Sequence, residues 1–277
     1  MQTESVAPIE ETRYLSRPGG RIAYDVDGAG PLVVLVPGMG DLRGTYRFLA
    51  PDLRSAGYRV AATDLRGHGE SDATFETYGD VESSEDLVAL VEELGGPAVV
   101  VGNSMGAASA VITAATRPDL VRGLVLVGPF VRNARMSTMQ RVLLRVAMTP
   151  LWAAAAWKSY LPKLYAGRRP VDFDAYCGRV VASLRQPGHA KAFSRTTHVS
   201  HDPAAKRLDH VGAPTLVVMG EQDPDFPDPK AEADWIGQTL HGEVVMVPEA
   251  GHYPQSQQPE ITTDAVVSFL NGLGNRA

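Results

Sequence analysis

The feature of this sequence that most constrains its fold is a series of short, unbroken apolar runs rich in β-branched residues. They read PLVVLVPG at 31–38, AVVV at 98–101, LVLV at 124–127 and TLVVM at 215–219. A strand that is apolar on both faces is typical of a parallel sheet with both sides covered. Stretches with helical spacing separate the runs, among them SSEDLVALVEEL at 83–94, which we expect to begin with a serine cap. The alternation predicts a mostly parallel sheet flanked by helices.

The alternation of strands and helices stops after Pro129. The stretch that follows holds only helical patterns, such as STMQRVLLRVAM, LWAAAAWKSYLPKLY and DFDAYCGRVVASLR, until the TLVVM run begins. We therefore predict a core built from residues 1–129 and 209–277, with residues 130–208 forming an all-helical cap. The cap is expected over the carboxyl edge of the sheet, where open α/β sheets bind their ligands. At the N-terminal edge, the alternating segment GRIAYDVDG predicts an antiparallel hairpin strand.

Composition and charge exclude several classes of function. The chain has 277 residues, of which 44% are hydrophobic, and its formal net charge of -6 gives no footprint for nucleic acid or an anionic membrane. No apolar stretch is long enough to span a bilayer, and the N-terminus lacks the pattern of a signal peptide. The single cysteine, Cys177, allows no intrachain disulfide and is expected to be a packing residue. We expect a cytoplasmic protein that acts on a small molecule, whose apolar cap surface permits a homodimer.

One serine lies where a strand should turn into a helix. The segment VVVGNSMGAAS at 99–109 places Ser104 between Gly102 and Gly106. Such turns hold the serine in a strained conformation, and small neighbours let the strand and the helix approach each other. The hydroxyl then stands clear of the backbone, and the amide of Met105 points toward any charge that develops beside it. Ser104 is therefore the candidate nucleophile.

A base and an acid for this serine follow two later predicted strands. A serine hydroxyl is a weak nucleophile and needs a base, which in turn needs an orienting acid. The segment VVMGEQDPDFP places Asp223 just past one strand, and VVMVPEAGHYPQ places His252 just past the next. The chain order serine, aspartate, histidine is the one that a strand-turn-helix nucleophile requires. Asp225 is a rival for the acid, whereas Asp228 is expected to cap the following helix.

The other histidines are expected to have ordinary polar roles. They fall in loops, in the predicted cap or before the last predicted strand: His68, His189, His198, His201, His210 and His241. The segment HVSHD at 198–202 places two imidazoles three residues apart, a spacing that could bind a metal from one helical face. No further run of ligands accompanies it, so we expect neither a metal nor another cofactor.

Five motifs, taken in order, resemble those of the α/β-hydrolase superfamily. They are LVVLVPGMGD, ATDLRGHGES, VGNSMG, MGEQDPDFP and PEAGHYPQSQQPE, and the similarity runs from about Arg13 to Leu270. The resemblance implies an eight-stranded, mostly parallel sheet flanked by helices, with an inserted all-helical cap. It also implies that Ser104 is the nucleophile, Asp223 the acid and His252 the base.

The same resemblance implies two backbone donors for an oxyanion. Members often carry His-Gly in the loop after the third strand, where this chain has Pro37 and Gly38. By position, the amide of Met39 is one donor and the amide of Met105 is the other. The change from histidine to proline removes a side chain that often supports this loop. The donor itself is unchanged, because a backbone amide does not depend on residue type.

The segment DLRGHGES at 64–71 resembles a family loop that is mainly structural. Its two glycines permit tight turns. We expect Asp64 and Arg66 to brace neighbouring loops, and we expect neither Asp64 nor His68 to be catalytic.

The predicted cap is expected to set substrate specificity. It carries a set of large aromatic and thioether side chains: Trp152, Trp157, Tyr160, Tyr165, Phe173, Met136, Met139 and Met148. The face of a cap helix that meets the sheet should be apolar and should line a mostly apolar pocket. The predicted pocket residues are Gly38, Phe130, Trp152 and Trp157. They favour a small, neutral and mostly apolar substrate.

These residues predict a serine hydrolase that cleaves a carboxylic ester, or a lactone or thioester, through an acyl-enzyme on Ser104. Two other classes stay open, because fold and triad do not define the reaction. One is a non-hydrolytic biosynthetic enzyme (a lyase, cyclase or isomerase) in which Ser104 or His252 serves only as an acid or base. The other is a ligand sensor with very slow turnover.

Overall fold

Eight strands form one sheet in the computed structural model, which describes residues 11–133, 139, 143 and 146–274. The strands are β1 (Arg13–Arg17), β2 (Gly20–Asp27), β3 (Leu32–Val36), β4 (Arg59–Thr63), β5 (Ala98–Asn103), β6 (Val121–Val127), β7 (Thr215–Gly220) and β8 (Glu243–Val247). They lie side by side in the order β1-β2-β4-β3-β5-β6-β7-β8. β2 pairs antiparallel with β1 and with β4, and the other neighbours are parallel. The prediction of a mostly parallel sheet with an antiparallel N-terminal edge is confirmed.

Helices alternate with these strands along the chain. The described α-helices are α1 (Leu49–Ser55), α2 (Asp80–Glu93), α3 (Met105–Thr116), α4 (Ala153–Leu164), α5 (Phe173–Leu184), α6 (His189–Thr196), α7 (Asp202–Ala205), α8 (Pro229–Leu240), α9 (Pro254–Gln257) and α10 (Pro259–Gly274). None of the helices within these residues combines the length and hydropathy that crossing a bilayer requires.

Both faces of the sheet are covered, which explains the unbroken apolar runs. In β3, Val34 and Val36 belong to the apolar cluster beneath α2, α3 and α8. Their neighbours Val33 and Leu35 belong to the cluster beneath α1 and α10. All four side chains are at most 1% exposed. Because successive residues of a strand point to opposite faces, a strand covered on both sides loses the alternation of polar and apolar residues.

The start of α2 differs from the prediction. The helix begins at Asp80, so Ser83 lies inside it and does not cap it, and the preceding Gly79 has a φ of 148°. The Asp80 carboxyl group contacts Nδ1 of His201 at 2.7 Å and makes no cap hydrogen bond. That partner comes 121 residues later in the chain, so no local pattern around Ser83 indicates it.

The chain between β6 and β7 holds α4 to α7 and contains no strand among its described residues. Helices α4, α5 and α6 share an apolar cluster that includes Trp157, Leu161, Tyr176 and Phe193. The segment lies against the carboxyl edge of the sheet, beside the chain that follows β3. There the guanidinium of Arg47 donates two hydrogen bonds to the Asp172 carboxylate, at 2.7 and 2.6 Å. The division of the chain at residues 129 and 209 stays a prediction.

Candidate active site

Ser104 occupies a strained turn between β5 and α3. Its backbone has φ 56° and ψ −120°, a conformation that costs a residue with a side chain about 1–3 kcal/mol. The glycines on either side are required by close backbone contacts. A Cβ at Gly102 would lie 2.4 Å from the carbonyl oxygen of Gly106, and a Cβ at Gly106 would lie 2.4 Å from that of Val36. The motif therefore fits a turn in which α3 starts against the end of β3.

His252 and Asp223 form a buried pair at the same edge of the sheet. Nδ1 of His252 lies 2.7 Å from Oδ2 of Asp223, and both residues are 2% exposed. Asp223 follows β7 and His252 follows β8, whereas Ser104 follows β5. The side-chain amide of Asn103 donates to the carbonyl oxygen of His252 at 3.2 Å and so links the serine turn to the histidine loop.

The rival acid, Asp225, also lies close to the histidine. Its Oδ2 is 3.8 Å from Nδ1 of His252, too far for a hydrogen bond, so the geometry favours Asp223 as the orienting acid. The amide of Asp225 donates to Oδ1 of Asp223 at 3.0 Å. From α4, the hydroxyl of Tyr160 donates to Oδ1 of Asp225 at 2.5 Å. The carboxylate of Asp225 thus lies beside the imidazole and is hydrogen-bonded to Tyr160 of the predicted cap.

These carboxylates change the proton affinity of the imidazole. Burial alone would lower the pKa of His252, but the charge and hydrogen bond of Asp223 outweigh it and raise the pKa to about 9. The charges of Asp225 and Asp41 act in the same direction. Burial raises the pKa of Asp225, and the charge of His252 and the hydrogen bond from Tyr160 reduce this increase. The arrangement stabilises an imidazolium, which is the form that a general base takes once it has accepted a proton.

The loop after β3 approaches the serine. A Cβ at Gly38 would come within 2.8 Å of the Ser104 Cβ, so only glycine allows this contact. The next amide, that of Met39, donates no hydrogen bond to any described residue. Met105 is the first residue of α3, and the first amides of a helix have no partner inside it. Two backbone donors beside Ser104 are therefore available to an acceptor.

Phe130 touches both the serine and the histidine. Its amide donates to the carbonyl oxygen of Ser104 at 3.3 Å. Its ring meets the ring of His252 at a centroid distance of 5.8 Å and the ring of Phe226 at 4.9 Å. Phe130 and Phe226 thus form a half-buried apolar wall beside the candidate catalytic residues.

The two tryptophans predicted for the pocket have different surroundings. Trp157 is 4% exposed, and its indole N–H donates to the carbonyl oxygen of Gly40 at 2.8 Å. Trp152 is 45% exposed, and its indole N–H donates to the carbonyl oxygen of Val146. The structure brings Trp157 to the loop after β3 and does not bring Trp152 there.

The remaining residues singled out for the predicted cap divide between interior and surface. Tyr165, Phe173 and Met148 are buried in the apolar cluster that α4, α5 and α6 share. Met139 is 73% exposed. Met136 lies outside the described residues.

One group of side chains could in principle hold a cation. Asp223, Asp225 and His252 offer ligand atoms within 4.8 Å of one another, and they are the one such trio found in the described part of the chain. Nδ1 of His252 carries the proton that Asp223 accepts, so a cation there would compete with that hydrogen bond. In the HVSHD segment, His201 uses its Nδ1 to contact Asp80.

The contacts of the DLRGHGES segment agree with a bracing role. Asp64 accepts a hydrogen bond from the amide of Arg43 at 2.8 Å and also pairs with its guanidinium. Arg66 pairs with Asp86 at 2.6 Å.

Sequence reasoning missed how the loop after β3 is supported. Nε2 of His68 accepts a hydrogen bond from the amide of Gly40 at 3.0 Å, although the two residues lie on different loops. The sequence signal was limited to the presence of a histidine in a loop expected to be structural.

The comparisons with known proteins agree with this fold. Residues 33–265 match the model of the alpha/beta hydrolase family. The chain is 29% identical over 283 residues to 2-(acetamidomethylene)succinate hydrolase of Mesorhizobium japonicum, a match that covers 97% of this chain and 99% of that protein. It is also 29% identical over 250 residues to pimeloyl-[acyl-carrier protein] methyl ester esterase of Neisseria meningitidis, covering 87% and 94% of the two chains.

A solved structure supports the fold independently. A bromoperoxidase from Bacillus anthracis superposes with a TM-score of 0.81 at 19% sequence identity. The superposition covers 94% of this chain and 100% of the other. At this level of identity, the likeness speaks for the fold alone.

Proposed function

The chain belongs to the alpha/beta hydrolase family and is a hydrolase, and from that premise we propose that it cleaves a carboxylic ester through an acyl-enzyme on Ser104. The observation that carries the proposal is the buried hydrogen bond between His252 and Asp223 at the edge that also presents the strained Ser104. A nucleophile, a base and an orienting acid are the parts that acyl transfer to serine requires.

In the first step, the Ser104 hydroxyl attacks the carbonyl carbon of the ester while His252 takes its proton through Nε2. Nδ1 of His252 keeps its own proton and donates it in the hydrogen bond to Asp223. The negative charge of Asp223 stabilises the imidazolium that forms. His252 then gives the proton to the leaving alcohol, and water releases the acyl group by the reverse sequence.

The amides of Met39 and Met105 would hold the negative oxygen of the tetrahedral intermediate. Both are backbone donors beside Ser104, and neither depends on a side chain. A single donor of this kind is worth about 3 kcal/mol in the transition state. The close approach of Gly38 to Ser104 supports this role, because it brings the loop with the Met39 amide to the nucleophile.

The substrate we propose is a small, mostly apolar ester. Phe130 and Phe226 supply an apolar wall next to the serine. A relative named as a methyl ester esterase supports ester chemistry. Lactones and thioesters present the same carbonyl to the same groups and belong to the same proposal.

The test is turnover of a panel of p-nitrophenyl esters by the wild type and by Ser104→Ala. We expect the variant to lose about 10⁴-fold or more in kcat, as removal of a triad member does. A fluorophosphonate should label the wild type at Ser104 and leave the variant unlabelled. Ser159→Ala, an exposed serine on α4, is the matched control and should change neither readout.

Two outcomes would overturn the proposal. If Ser104→Ala retains turnover, the acyl-enzyme is wrong, and acid–base chemistry by His252 in a lyase, cyclase or isomerase takes its place. If the wild type neither turns over an ester nor reacts with the fluorophosphonate, a slow ligand sensor becomes the better interpretation.

A further inference from the structure

Gly40 is held at both of its backbone polar groups by side chains from distant parts of the chain. Its amide donates to Nε2 of His68 at 3.0 Å. Its carbonyl oxygen accepts from the indole N–H of Trp157 at 2.8 Å. Gly40 directly follows Met39, whose amide is a proposed oxyanion donor. The residue after a proposed catalytic donor is therefore fixed from two sides.

The hydrogen bond from Gly40 requires one particular tautomer of His68. Nδ1 of His68 lies 2.9 Å from the carbonyl oxygen of Arg66. A carbonyl oxygen can only accept, so Nδ1 carries the proton and Nε2 is left with the lone pair that faces the Gly40 amide. The ring is 2% exposed, and burial lowers the pKa of His68 to about 4, aided slightly by the nearby His189. His68 is thus a neutral acceptor built into the interior.

The hydrogen bond that the Gly40 carbonyl oxygen accepts is donated by Trp157, a residue of the predicted cap. Trp157 lies 117 residues beyond Gly40 and packs against Phe193, with a ring-centroid distance of 5.1 Å. Gly40 has a φ of 72°, and a Cβ there would come within 2.6 Å of Trp157 and 2.7 Å of Phe193. Only glycine allows the indole and the phenyl ring to close over the loop in this way.

These contacts act on the peptide unit next to the proposed donor. The amide of Gly40 belongs to the peptide between Met39 and Gly40, and its direction is set by His68. The Met39 amide itself belongs to the preceding peptide, between Gly38 and Met39, whose carbonyl oxygen accepts a hydrogen bond from the amide of Asp41 at 3.3 Å. With the planar peptides on both sides of Met39 held in this way, rotation about its backbone bonds is restricted, and so is the direction of its amide.

From this geometry we infer that His68 and Trp157 are positioning residues, which hold the Met39 amide ready for the oxyanion and couple the docking of the cap to catalysis. The inference rests on the proposed function, because it needs an oxyanion to form at Ser104. Neither side chain touches the substrate in this scheme. A preorganised donor costs no rearrangement at the moment of reaction, and misplacement of a reacting group by about 1 Å can cost about 10²-fold in rate.

The experiment removes each hydrogen bond while keeping a ring in place. Trp157→Phe lacks the indole N–H, and His68→Phe lacks the acceptor. With p-nitrophenyl butyrate, we expect kcat to fall about 10- to 100-fold in each, with KM within about twofold of wild type, because the oxyanion exists only in the transition state. His68→Gln offers a carbonyl oxygen in place of Nε2 and should recover a measurable part of kcat. Trp235→Phe, the same substitution on α8, is the matched control and should leave kcat unchanged.

A second readout separates positioning from general loosening of the structure. An alkyl trifluoromethyl ketone adds to the serine and presents an oxyanion, so its Kd should rise about as much as kcat falls. The Kd of 1-butanol, which has no carbonyl or carboxylate oxygen for the two amides to bind, should stay within about twofold. Thermal unfolding and circular dichroism identify any variant that fails to fold. If His68→Phe does not fold, Trp157→Phe carries the test.

The inference is wrong if kcat and the Kd of the trifluoromethyl ketone are unchanged in folded Trp157→Phe and folded His68→Phe while Ser104→Ala is inactive. It is also wrong if both ligands weaken equally, since that pattern indicates a damaged pocket. Turnover that survives in Ser104→Ala would instead overturn the proposed function, so the two failures are distinguishable.

Discussion

Replacing Asp225 with asparagine should shift the pH dependence of activity toward lower pH. Oδ2 of Asp225 lies 3.8 Å from Nδ1 of His252, so its negative charge favours the imidazolium. A base must be neutral to act, so kcat/KM of the wild type should rise with pH and reach half of its plateau near the His252 pKa of about 9. Removing the charge of Asp225 lowers that pKa and moves the rise to lower pH.

The size of the shift follows from Coulomb's law. Two unit charges 3.8 Å apart interact by about 1 kcal/mol in water and about 4 kcal/mol at an effective dielectric constant of about 20. These energies correspond to about 1 to 3 pKa units. The Asp225 side chain is 17% exposed, so solvent screens part of this interaction. We therefore expect a shift near the lower end, about one unit.

The plateau of kcat/KM should fall in the same variant. The imidazolium forms in the transition state, and Asp225→Asn removes part of its stabilisation. At low pH, the larger fraction of neutral His252 offsets this loss. The position of the rise is therefore a sharper measure than the rate at any one pH.

The assay is kcat/KM for a short p-nitrophenyl ester between pH 5 and about 10, with product read after each sample is brought to one alkaline pH. The rate of fluorophosphonate labelling of Ser104 over the same range gives an independent profile. Asp228→Asn is the matched control, because it removes the same charge from the same loop and asparagine preserves the cap of α8. A profile of Asp225→Asn that coincides with the wild type, or lies at higher pH, would refute the reasoning.

Three further substitutions test the packing around the site. Gly106→Ala should prevent stable folding, because its methyl group would lie 2.4 Å from the carbonyl oxygen of Val36. The control is Gly272→Ala on α10, whose methyl group would meet nothing within 4 Å, and thermal unfolding should show it to be neutral or slightly stabilising. Asp64→Asn removes the most buried of the three carboxylates that pair with Arg43, the others being Asp25 and Glu70, and should cost about 1.5–3 kcal/mol in urea unfolding; a loss below about 0.5 kcal/mol would contradict the pairing. Gly128→Ala, at φ 48°, would place a methyl group 3.2 Å from Nδ1 of His252 and should lower kcat in a variant that thermal unfolding shows to be folded; an unaffected kcat would argue against a rigid pair of His252 and Asp223.

The sheet was predictable because burial on both faces imposes a local composition. Runs such as LVVLV are typical of a strand that is covered on both faces, and their alternation with helical stretches indicated the parallel topology. The N-terminal capping residue of α8 was also predictable, since the Asp228 carboxylate accepts a hydrogen bond at 2.9 Å from an amide only three residues ahead. Features of this kind depend on neighbours within a few positions.

Contacts between distant segments were not predictable in the same way. The sequence left Asp223 and Asp225 as rivals, and only their distances to His252 separate them. The Tyr160–Asp225 and His68–Gly40 hydrogen bonds join residues 65 and 28 positions apart. Their geometry depends on how α4 and two loops pack, which no spacing in the sequence encodes. The start of α2 was also mispredicted, since the helix begins at Asp80 directly after Gly79 and Ser83 lies inside it.

The hydrogen bond between Trp157 and Gly40 bears on how this architecture can diversify. β6 and β7 are neighbours in the sheet, so the insertion between them could in principle be exchanged without disturbing strand pairing. A chimera that receives a foreign insertion would keep Ser104, His252 and Asp223. If Trp157 positions the Met39 amide as we propose, that chimera would also need an indole, or an equivalent donor, at the place of Trp157. Exchange of the insertion for a new substrate would then have to leave this one position unchanged.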